Sequence, residues 1–75
     1  MTDIKRLKSA MALKGHNQKD MAALLNMADV TFSRKLNNVS EFNAKEIREI
    51  AEILELSNSD IMAIFMNWEE KQNVL

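Results

Sequence analysis

The sequence predicts an all-α fold, a compact unit of five helices, and three observations carry that prediction. Composition favours helix: 75 residues contain no Pro and one Gly, and 47% are apolar but only 5% aromatic. Few helix breakers and few bulky strand formers are therefore present. Apolar residues recur three and four apart, as at Ile4, Leu7 and Met11, the period of a helix with one face turned inward. Helix-start signals recur too: Asn17, Asn43 and Ser57 each stand three residues before a carboxylate, at Asp20, Glu46 and Asp60.

The first helix is expected over about Asp3 to Lys14, with Ile4, Leu7, Met11 and Ala10 facing inward and Gly15 ending it. The second begins at Asn17, whose side chain caps free amides while Asp20 favours the positive helix end. The third is expected over about Asp29 to Asn37. After a polar loop, Asn38 to Phe42, the fourth starts from Asn43 and turns Ile47, Ile50, Ala51 and Leu54 inward. Ser57 opens the fifth. On that helix Ile61, Ile64, Phe65 and Trp68 share one face, and Met62 and Met66 form a second stripe. Together the two stripes exceed what one small core buries, so the end of the chain either folds back or makes an intermolecular contact. The second reading is favoured, with about residues 58–75 as the dimerisation segment and Met62, Phe65, Met66 and Trp68 as its interface.

A chain of this length supports a single domain over residues 1–75. Cys is absent, which excludes disulfides, thiolate chemistry and cysteine zinc sites. No stretch approaches an uncharged membrane span, and the start Met-Thr-Asp-Ile-Lys-Arg lacks the apolar run of a signal peptide. A soluble, cytoplasmic protein is expected. His16 follows a helix-ending Gly with no ligand partner at metal spacing, so it reads as a loop residue and no metal is expected. The six Met residues read as packing filler rather than a cofactor site. Glu41, Lys45 and Glu49, and Arg48 with Glu52, are spaced for charge pairs on the exposed face of the fourth helix. No nucleophile with an attendant base, no Gly-rich phosphate loop and no pair of catalytic carboxylates is present. Neither an enzyme nor a small-molecule substrate is expected, and no cofactor.

The stretch Asn17 to Leu36 carries the functional reading. Met21 and Leu25 place one apolar stripe on its first helix, and Phe32 and Leu36 place another on its second. Ala22 falls where two helices must approach closely, and Asn26 where the turn needs a left-handed residue. That is the pattern of a DNA-binding helix-turn-helix over about residues 17–37, although any helical hairpin could share parts of it. Net charge is −1, which is low for a nucleic-acid binder, but its distribution is uneven. Residues 1–40 hold seven cations (Lys5, Arg6, Lys8, Lys14, Lys19, Arg34, Lys35) against three acids, a net of +4. Residues 41–75 hold three cations against eight acids, a net of −5. The basic half is the half with the motif, so the chain would orient on a phosphate backbone.

The chain resembles the Xre/Cro/CI-like helix-turn-helix regulators of bacteria and phages, most closely small phage-encoded repressor-type proteins. The residues carrying the resemblance are Asn17-Gln18, Met21-Ala22 with Leu25, Phe32 through Asn37, Glu41-Phe42, Glu46-Ile47, and Ile50-Ala51 leading to Leu54 and Leu56. The resemblance implies a lambda-repressor-like domain of about five helices that binds double-stranded operator DNA as a homodimer. Two departures stand out. Asn26 and Asn38 replace a frequent Gly, and Ala28-Asp29 replace a capping Ser or Thr and a polar or basic reader.

With the third helix in the major groove, Asp29, Val30, Thr31 and Arg34 are the candidate base readers. Arg34 matches the two acceptors of guanine, Val30 and Thr31 can touch a thymine methyl, and Asp29 either accepts from cytosine or merely starts the helix. Phosphates are expected at Asn17, Gln18 and Lys19, with Ser33, Lys35, Asn37 and Asn38 as further backbone contacts. For Lys35 a solvated surface position is the equal alternative. The runner-up function is a protein-interaction domain of the same fold that binds another regulator.

Overall fold

A computed structural model describes residues 1–66 and contains the five expected helices. These are α1 (Ile4–Leu13), α2 (Gln18–Leu24), α3 (Asp29–Leu36), α4 (Ala44–Leu54) and α5 (Asn58–Phe65). Among the described residues there is no strand, and no helix is long and apolar enough to cross a membrane. Asp3 opens α1 by accepting the Arg6 N–H at 3.2 Å. Two-way capping boxes open α2, α4 and α5, with Asn17, Asn43 and Ser57 each exchanging bonds with the carboxylate residue three positions on. α3 starts from Ala28 with no side-chain cap.

Four helices end in one manner. Gly15, Asn26, Asn38 and Glu55 take left-handed backbone, with φ of 73°, 55°, 60° and 54°. The next N–H then reaches back five residues, from His16 to Met11, Met27 to Ala22, Val39 to Arg34 and Leu56 to Ala51, at 2.8–3.0 Å. Each closure satisfies a carbonyl that the helix end would leave open. Glu55 is unexpected here, because a side chain with a β-carbon costs about 1–2 kcal/mol in this region.

The core joins Leu7 and Met11 of α1, Met21 and Ala22 of α2, Phe32 and Leu36 of α3, Ile50 and Leu54 of α4, and Ile64 and Phe65 of α5. Phe42 belongs to it as well, although the sequence places it in a polar loop. Its ring stands edge-on to Phe32 at 5.9 Å and to Phe65 at 5.8 Å, so one aromatic chain runs from α3 through the connection to α5. Such contacts contribute about 0.5–1.5 kcal/mol each beyond area burial. The same geometry corrects the expectation for Phe65, which is only 8% exposed and has no face to offer a second copy. Trp68 lies outside the described residues. Met62 and Met66 are exposed, at 39% and 60%.

Candidate nucleic-acid interface

The helix-turn-helix is built around Ala22, which has no exposed surface. α2 and α3 pack directly on each other, and the Ala22 carbonyl accepts the Met27 N–H at 2.8 Å, closing the turn through left-handed Asn26. From that turn α3 is rooted by Phe32 and Leu36, 0% and 3% exposed. Burying those two positions fixes the rotation of the helix and turns Val30, Thr31 and Arg34 outward, while Asp29, three residues before Phe32, is exposed because it begins the helix. Three of the four expected readers thus share the solvent side of α3 and the fourth stands at its start, and Val30 is 63% exposed, so its methyl groups are open to a partner. Asp29 occupies the first turn of a helix without a side-chain cap, where a carboxylate complements the helix dipole. That favours its reading as a helix-start residue.

The seven expected phosphate contacts divide in two. Asn17, Gln18 and Lys19 lie together, exposed, at the start of α2. Asn17 is exposed and spends its side-chain oxygen on the Asp20 N–H at 2.8 Å, while among the described residues no bond engages its amide nitrogen. The group at the end of α3 is turned to internal work. Asn37 donates to the Ser33 carbonyl at 2.8 Å and lies 3.4 Å from the half-buried Ser33 hydroxyl. Asn38 accepts the Thr2 N–H at 3.2 Å and donates to the Thr2 carbonyl at 3.1 Å. The Asp3 N–H also meets the Ile64 carbonyl at 2.7 Å, so the N-terminal residues are tied both to the end of α3 and to α5.

Lys35 is the clearest correction. Its ammonium lies 2.6 Å from Glu46 Oε1, with both side chains about 15% exposed, so the charge is satisfied inside the chain rather than offered to a phosphate. The same Oε1 accepts the Asn43 N–H at 2.9 Å. One carboxylate oxygen therefore caps α4 and anchors the last turn of α3. The capping pattern reveals half of that role in the sequence, while the pairing across eleven residues has no local signal.

An exposed reading face on a rooted second helix, with a polar and basic start on the first, defines a helix-turn-helix DNA-binding domain. A family model of the Cro/C1-type helix-turn-helix DNA-binding domain matches residues 6–65, and the chain belongs to that family, a non-enzymatic DNA-binding regulator fold. Neither a curated protein nor a solved structure matches the chain significantly.

Proposed function

We propose that the chain is a sequence-specific transcriptional regulator of the phage or prophage repressor type, occupying double-stranded operator DNA as a homodimer in the cytoplasm. The observation that carries this reading is the outward face of α3, where Val30, Thr31 and Arg34 are exposed together, with Asp29 exposed at the helix start, while Phe32 and Leu36 hold the helix down. Arg34 reads guanine through its planar fork, and Val30 and Thr31 lie against thymine methyls. Gln18, Lys19 and the Asn17 amide hold the backbone at the start of α2, fixing register without carrying sequence information. Regulation then follows from occupancy, since a bound dimer excludes other proteins from the same stretch of DNA.

A gel shift against the DNA flanking the chain's own coding region tests the reading. A discrete complex that survives excess random DNA is expected, and no complex at low salt would sink it. The carboxylate of Asp29 beside the reading face and the net charge of −1 favour the second reading, a domain that binds another regulator. That reading gains ground only if low-salt DNA binding fails.

A further inference from the structure

α4 and α5 leave an apolar groove of about 600 Å³ between them, floored by Ile47, Ala51, Leu56, Ile61 and Met66. Ile47, Leu56 and Ile61 are only partly covered from within the chain, so the groove is an incomplete piece of core. The exposed Arg48 and Glu52 line the same groove. Their four-residue spacing predicts a pair with each other, yet among the described residues neither has an ion pair.

A cation and an anion one turn apart have a symmetry property. When two copies of such a helix lie antiparallel about a two-fold axis near residue 50, each Arg48 meets the other copy's Glu52, and the two contacts are equivalent. A parallel pairing sets like charge against like. The small Ala51 beside the axis lets the helices approach closely. We propose that this groove is the face through which two copies of the chain join, α4 against α4, with Arg48 of each copy closing on Glu52 of the other. The inference rests on the homodimer reading above and relocates its surface, keeping Met66 and leaving Met62 out of the groove lining.

Sedimentation velocity of the full chain tests it with Arg48→Glu, Glu52→Arg and an equimolar mixture of the two variants. The wild type is expected to dimerise. Each variant alone sets like charges together twice at the axis and should weaken association about tenfold or more. The mixture should recover association close to wild type, because a copy with two acids meets a copy with two bases. Variants that associate like wild type, a mixture that does not recover, or a wild type that stays monomeric at high concentration would each overturn the proposal. The last result would hand the groove to another segment of this chain or to a different protein. Circular dichroism checks that helix content is retained. If either variant loses it, Arg48→Gln and Glu52→Gln take their place, with a smaller weakening expected and an unchanged constant counting against the proposal. Gel shifts on the same samples separate the two readings: a dimer of this kind that binds no DNA sinks the operator and spares the interface. DNA binding by a chain whose association ignores Arg48 and Glu52 does the reverse.

Discussion

Arg34 and Lys35 are neighbours in the chain, but a helix sets them about 100° apart, and that rotation separates a reading role from a structural one. Arg34 is exposed on the outward face of α3, so Arg34→Ala should lose discrimination between operator and random DNA, worth about 1–3 kcal/mol. Gln18→Ala should weaken both similarly, and competition titrations with the two DNAs distinguish the outcomes. Operator preference unchanged in Arg34→Ala would place the reading face elsewhere. Lys35→Met should instead act on the fold, costing about 1–3 kcal/mol in urea unfolding because the mostly buried Glu46 loses its charged donor. The salt dependence of DNA binding should not change in Lys35→Met, whereas loss of a phosphate contact would lower its slope by about one. The sequence supports both roles for Lys35 equally, since residue type carries no information on a partner eleven positions away.

At the scale of elements, the helix starts are legible because capping is local: an oxygen and a carboxylate three residues apart suffice to specify Asn17, Asn43 and Ser57. Helix ends are legible only where the left-handed residue is of a type that favours that backbone, as at Gly15 and Asn26. Glu55 has no such signature: α4 ends where the Leu56 N–H closes back on the Ala51 carbonyl, and Leu56 packs partly buried against the core. That difference yields opposite expectations for one substitution. Glu55→Gly should raise stability by about 1 kcal/mol by relieving the left-handed strain, against a small loss from the exposed Lys14 ion pair at 3.3 Å. Asn38→Gly, at nearly the same φ, should lower it by about 1–2 kcal/mol, because both bonds to Thr2 disappear. Thermal melts decide the case, with about 4–8 °C per kcal/mol expected for a domain of this size. Shifts of the same sign would mean that the Asn38 amide adds nothing beyond its backbone preference.

For the whole molecule, net charge misleads unless partners are assigned to each cation. Of the seven cations in residues 1–40, Arg6 is paired with Asp3, Lys14 with Glu55 and Lys35 with Glu46. Lys5 and Lys8 lie on α1, which leaves Lys19 and Arg34 as the open charges of the helix-turn-helix itself. The half-chain excess of +4 is legible in the sequence, but the withdrawal of Lys35 from the surface depends on tertiary packing. Counterion release counts only cations that reach the DNA, at about −0.9 in the logarithmic salt slope per phosphate neutralised. Two such cations per copy predict a slope of about −2 for one bound copy and close to −4 for a pair, measured by titrating operator at several salt concentrations. Lys19→Gln should then reduce the slope by about two if a dimer binds and by about one if a single copy does. A slope unaffected by Lys19→Gln would remove the start of α2 from the phosphate backbone, and a wild-type slope near −2 would remove the second copy.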